Sequence, residues 1–314
     1  MKKWIVWLLV IITLTVLSVY IFIPAKIVIG GVTASRVSIS ASYRFISQQN
    51  KWEKWWKDSG GKPHSKGDPY TYNGTTFRLT QTGYNVAGIE IEQDGIVLQS
   101  ELALIAINKD STWAVWNSRF PAGINPFTRL QHYKKAQEIS KNMQAVLNNL
   151  NQFTSDPQKV YEISIFRTSF VDTNMLSTRF ITTSYPATEE IYKKFEMLKK
   201  IIQKQYGKVT GYPMMNVNIL KTDSFETQVA IPTNHTLENE GSIFSRKMVP
   251  GNFLSAIIKG GEYTIRESMQ QLDFYLKDHG KIQMARPFEQ LITDRTLEPD
   301  TTKWITRIYL PVVE

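Results

Sequence analysis

The residues best suited to chemistry lie in the run Arg286-Pro287-Phe288-Glu289-Gln290-Leu291, where one carboxylate stands among apolar and aromatic neighbours. The run reads as a strand, and a strand that turns Glu289 into an apolar groove strips the acid of water. A desolvated carboxylate is stabilised by a ligand cation or an ordered donor. Aromatic walls add cation–π attraction of about 0.5–2 kcal/mol per good contact. Tyr263, Trp304, Tyr309 and, from further upstream, Tyr212 are the candidate walls, with Phe288 beside the acid. Side chains alternate faces along a strand, so a second placement stays open, with Phe288 buried and Glu289 in solvent.

A single acid suits ion pairing or activation of one water; it does not supply the two carboxylates of a glycosidase. Acting on water, Glu289 would be the general base with a tyrosine as donor. The other chemistries have less support. There are no cysteines, and His64, His132, His235 and His279 are scattered without metal-ligand spacing, so no metal site is expected. No G-x-S-x-G elbow, P-loop or dinucleotide fingerprint occurs, and no cofactor is expected.

The elements that must hold this strand surround it. Thr264 and Glu267 have capping-box spacing for a helix start. Ile265, Met269, Leu272 and Leu276 recur every 3 to 4 residues, which buries one helix face, and Gly280 supplies the left-handed stop. The same landmarks occur once before. Residues 158–233 and 242–314 share the helix starts Thr188 and Thr264, the stops Gly207 and Gly280, the prolines Pro213 and Pro287, and the endings Ile231-Pro232 and Leu310-Pro311. Two such βαββ halves pair into one antiparallel sheet carrying two helices, with a groove between them. Aligning Pro213 with Pro287 sets Met214 and Met215 against Phe288 and Glu289. The groove then has one acid, and the methionines are core or pliable wall.

Residues 158–314 resemble the gyrase-inhibitor-like (GyrI-like) effector-binding domain. The resemblance rests on Val249-Pro250-Gly251, Lys259-Gly260-Gly261-Glu262-Tyr263, Pro287-Phe288-Glu289 and the closing Ile308-Tyr309-Leu310-Pro311-Val312. It implies the ligand-sensing half of bacterial multidrug-responsive transcription activators, some stand-alone relatives of which hydrolyse strained small molecules. It also implies that Glu289 faces cationic or polar ligands in a central pocket. Phe288 stands where the family has tyrosine, and Gly260-Gly261 where it has Gly-Pro. Both departures weaken the enzymatic version more than the binding one.

The first half reads differently. Residues 27–45 alternate apolar and polar; then Trp52, Trp55 and Trp56 mark a short helix, as a core face or a ligand platform. Strands follow, separated by Asn73-Gly74, Gly83, Asp94-Gly95 and Lys109-Asp110, and Phe127 to Phe153 reads as one long helix. Thr154 to Pro157 is the linker. The order of elements in 27–153 resembles the START/polyketide-cyclase (SRPBCC) helix-grip superfamily, from which no functional residue is carried over.

Ahead of both, Trp4 to Ile23 is an uncharged run of bilayer length, without a convincing cleavage site after it. Residues 1–25 are therefore read as an uncleaved transmembrane anchor. Lys2 and Lys3 argue for an inside N-terminus against Lys26, Arg36 and Arg44 beyond the span, which favours a bacterial inner-membrane protein with its domains on the periplasmic face. The net charge of +9 is dispersed among acids, with no helix-turn-helix or other nucleic-acid motif, so no nucleic-acid partner is expected. The expectation is an α+β protein that binds a small cationic or amphipathic molecule. The alternatives are a hydrolase using Glu289 as base and an interaction module without ligand, whose protein partner the sequence does not name.

Overall fold

The computed structural model describes residues 3–170, 174–221, 223–248 and 250–313; Lys2 and Val249, named above, lie outside them. The chain forms an α+β protein of two compact units, Met1–Asp156 and Pro157–Glu314.

The first unit opens with the apolar helix α1 (Lys3–Phe22), long enough to cross a membrane and without a buried residue. Its interior hydroxyls bond back to its own carbonyls, Thr13 to Leu9, Thr15 to Ile11 and Ser18 to Thr15. Then come β1 (Lys26–Ser35), α2 (Ile39–Ile46), β2 (Tyr70–Tyr72), β3 (Thr75–Gly83), β4 (Val86–Gln93), β5 (Ile96–Asn108), β6 (Ser111–Pro121) and the long helix α3 (Pro126–Thr154). The strands form one antiparallel sheet in the order β1-β6-β5-β4-β3-β2. Asn73-Gly74 and Asp94-Gly95 turn two of its hairpins with both residues at positive φ, the geometry that matches strand twist. The alternation read across residues 27–45 covers a strand only to Ser35; from Ile39 the chain is helical, capped by Ser38, whose hydroxyl accepts from the Ala41 N–H.

Helix α3 starts where Asn125 caps it and Pro126 fills its first position. Its stripe of Ala136, Ile139, Met143, Val146 and Leu147 is buried, and Ser140 and Gln144 bond the backbone of β1 at Gly30 and Val32. Trp52 sits in a 3-10 turn (Gln49–Lys54) rather than an α-helix, and Trp55 and Trp56 follow its end. All three are buried, and each indole N–H donates to a carbonyl, so they are core. Arg129, buried near the end of α1, donates to the Ile23 carbonyl at 2.8 Å and lies 4.7 Å from the Tyr20 ring centre. A cation is favourable at a helix C-terminus.

The second unit contains α4 (Pro157–Tyr161), β7 (Ile165–Phe170), β8 (Asn174–Thr182), α5 (Thr188–Lys204), β9 (Met214–Lys221), β10 (Ser224–Thr233), β11 (Ile243–Lys247), β12 (Gly251–Lys259), α6 (Glu262–Asp278), β13 (Ile282–Gln283), β14 (Phe288–Leu291) and β15 (Ile305–Val313). The sheet runs β11-β8-β10-β9-β14-β15-β12-β7, with β13 paired to β15. This order is symmetric about the β9–β14 seam. Each repeat contributes a helix and three strands to its own side. Its leading strand crosses over, β7 to the far side of β12 and β11 to β8. Helix α5 packs Ile191, Phe195 and Leu198 on Met215, Val229 and Leu291; α6 packs Ile265 and Leu272 on Ile308 and Leu254.

Two helix boundaries differ from expectation. The capping box at Thr264 and Glu267 does not form, because α6 already begins at Glu262 with Gly261 as its cap. Glu267 instead lies near the Tyr263 hydroxyl and holds that phenol above its usual range. At the end of α5 the left-handed residue is Tyr206 (φ 54°), one position before Gly207, whereas α6 uses Gly280 (φ 59°) as expected.

Candidate functional site

At the centre of the seam, β14 pairs Glu289 with Met215 of β9 and with Ile308 of β15. Residues opposed in an antiparallel sheet share a face, and Met215 and Ile308 lie under the helices. Glu289 therefore points to the helix side, 4% exposed. Above it opens a cleft of about 250 Å³ walled by Met215, Val217, Ile265, Met269 and Tyr185, with Glu262 and Arg266 on α6. A second cleft of about 660 Å³ lies beside it, between the starts of α5 and α6; Tyr185 and Glu262 border both.

The carboxylate is not alone. Arg295, from the connection between β14 and β15, brings Nη2 to 3.5 Å from Glu289 Oε2, with both side chains under a tenth exposed. That is ion-pair distance but long for a hydrogen bond, and Oε2 has no hydrogen-bond partner among the described residues. Arg295 is itself held on three sides. Its Nη2 donates to Thr306 Oγ1 at 2.9 Å, its backbone N–H donates to the Tyr192 hydroxyl at 2.8 Å, and its guanidinium lies 4.6 Å from the Trp304 ring centre. Burial pushes the Glu289 carboxyl up from the usual range, and Arg295 opposes that rise. Burial, and then the nearby charges of Glu289 and Glu262, push the Tyr185 phenol well up. At the cleft mouth Glu262 is paired in turn with Arg266.

The six residues named from the sequence are divided by the fold. Glu289 is at the floor of the smaller cleft, which the Phe288 residue borders. The Phe288 ring, however, stacks on Tyr309 (5.0 Å between centres) and meets Phe253 on the opposite face of the sheet, where Met214 also lies. Tyr309 is thus across the sheet from Glu289. Trp304 and Tyr263 line the larger cleft, Trp304 through its stack on Arg295 and Tyr263 largely exposed. Tyr212, half exposed in the connection before β9, borders neither cleft. Sequence reasoning missed Arg295 and Tyr185. Both lie in irregular connections without periodicity; the only signal for Tyr185 was its place in a Tyr-Pro turn just before a helix start.

No protein-family model matches the chain, and no curated protein matches it. Solved structures do. The C-terminal domain of EcmrR is 18% identical, covering 48% of this chain and 98% of that one, with a TM-score of 0.43. A hydrolase from Listeria innocua is 11% identical over 48% of this chain and 92% of that one, TM-score 0.39. SAV2435 bound to tetraphenylphosphonium is 11% identical over 48% and 94%, TM-score 0.31. At these identities and scores the likeness assigns neither a ligand nor a reaction to this chain.

Proposed function

We propose that this chain is a membrane-anchored small-molecule-binding protein whose second unit is a GyrI-like effector-binding domain. The observation that carries the proposal is Glu289, a buried carboxylate on the dyad of a duplicated sheet, facing an apolar cleft walled by α6, Tyr185 and strand β9. A cleft with an apolar wall and few polar groups is the usual form of a site for organic ligands. The ligand is a cationic or amphipathic organic molecule. The first unit has the element order of the START/polyketide-cyclase superfamily. The internally satisfied hydroxyls of α1 suit a helix within a bilayer; we take it as an uncleaved span, with both units on the outer face of a bacterial inner membrane.

The test is a thermal-shift screen of the full-length chain in phosphatidylcholine nanodiscs against cationic dyes and amphipathic drugs. A ligand at 100 times its Kd stabilises by about 2.7 kcal/mol. Hits should vanish in Met269→Trp, which fills the cleft, and weaken in Glu289→Gln. A blank screen on folded protein would favour the ligand-free interaction module.

A second reading has one observation in its favour. The Tyr185 phenol is close enough to Glu289 for the carboxylate's charge to raise its pKa, so a base and a hydroxyl donor share one cleft. Turnover of epoxide-bearing substrates, lost in both Glu289→Gln and Tyr185→Phe, would establish a hydrolase.

A further inference from the structure

We infer that Arg295 is a resident counter-ion of the cleft, a specificity-determining residue that turns it away from cations and toward uncharged amphipathic ligands. The inference rests on the proposal that the cleft binds organic molecules and narrows their class.

A lipophilic cation gains from two things in such a site: an uncompensated carboxylate and the face of an aromatic ring. Here one guanidinium takes the first, reaching Glu289 from the neighbouring larger cleft, where it is seated against Trp304. Arg295 is 3.5 Å from Glu289 Oε2 and 4.6 Å from the Trp304 ring centre. Thr306 Oγ1 fixes its tip and the Tyr192 hydroxyl its backbone, so the group is built in rather than swung in from solvent. The other charges bordering the smaller cleft, Glu262 and Arg266, are also paired with each other. Each carboxylate of the smaller cleft is thus matched by an arginine, Glu262 by Arg266 on its own wall and Glu289 by Arg295 from the larger cleft, while Met215, Val217, Ile265 and Met269 leave its apolar surface free. A ligand carrying a full positive charge meets Arg295 as a competitor; one without charge does not.

The test compares tetraphenylphosphonium with neutral triphenylphosphine oxide by calorimetric titration of full-length protein in nanodiscs, with empty nanodiscs as blank. In the unmodified protein the two should bind within about threefold of each other, since no charge is left to discriminate them. Arg295→Met should tighten the cation by about tenfold or more, the equivalent of one pKa unit of lost compensation, and leave the oxide little changed. Arg295→Lys should keep the original ratio, and Glu289→Gln combined with Arg295→Met should abolish the gain. A preference of about tenfold or more for the cation in unmodified protein, or an unchanged ratio in Arg295→Met, overturns the inference and leaves the cleft reading standing. If neither compound binds any folded variant, both fall. Should Arg295→Met not fold, the ratio in the unmodified protein still decides.

Discussion

Glu289 lies where a carboxylate costs most, at the middle of a sheet with helices above it, and Arg295 offsets that cost without a good hydrogen bond. Its folded-state pKa is raised, so between the ordinary carboxylate range and that raised value the folded chain holds a proton the unfolded chain has lost. Stability from this group is present at low pH and lost as pH rises through the folded pKa. The difference in urea midpoint between the unmodified protein and Glu289→Gln should therefore move against the unmodified protein from about pH 4 to about pH 8. A flat difference would mean that Arg295 fully compensates the acid. Glu289 was legible in the sequence because an acid among apolar strand residues is conspicuous. Its burial was not: alternation allowed either face, and only the register with Met215 and Ile308 decides. Arg295 was illegible, since its pairing with Glu289 depends on how an aperiodic connection folds back over the strand before it.

At the scale of elements, the two helix ends of the second unit form a matched experiment. Tyr206 and Gly280 occupy equivalent left-handed positions after α5 and α6, each followed by an N–H that reaches back to the helix, Gly207 to Ile202 and Lys281 to Leu276. A tyrosine there carries a conformational cost of about 1 kcal/mol that glycine avoids. Tyr206→Gly should raise stability by roughly 0.5–1 kcal/mol, and Gly280→Ala should lower it by a similar amount, both read from denaturant melts. Helix α6 was legible from its apolar period, α5 from the landmarks it shares with α6, and α3 to within a residue at each end, because Asn125 and Pro126 punctuate its start, whereas α2 was hidden in an apparent strand alternation. The start of α6 was not legible either. Its cap is Gly261, which bonds nothing through a side chain, while the residues with capping-box spacing lie inside the helix. Gly260 is constrained for another reason. With φ at 143° and Thr264 Oγ1 2.7 Å from where a Cβ would stand, the turn into α6 admits only glycine.

For the molecule as a whole, the anchor reading predicts that the full-length chain stays with vesicles through alkaline carbonate extraction and that its first residue is Met1. A shortened, extractable product would identify α1 as a removed leader. The duplicated unit was legible as a repeat, but the crossing of β7 and β11 was not, since both halves satisfy the same local pattern whichever neighbour the leading strand joins. That crossing makes the unit equivalent to a strand-swapped dimer written into one chain. At its axis the register pairs Glu289 with Met215 and Gln290 with Met214, so the two equivalent positions face each other. In a dimer of identical halves they would have to be the same residue. Glutamate at both would set two like charges directly opposite in the sheet's core, and methionine at both would leave no acid at all. Fusion of the copies is what permits a lone charge on a twofold axis, and with it a cleft whose two sides differ.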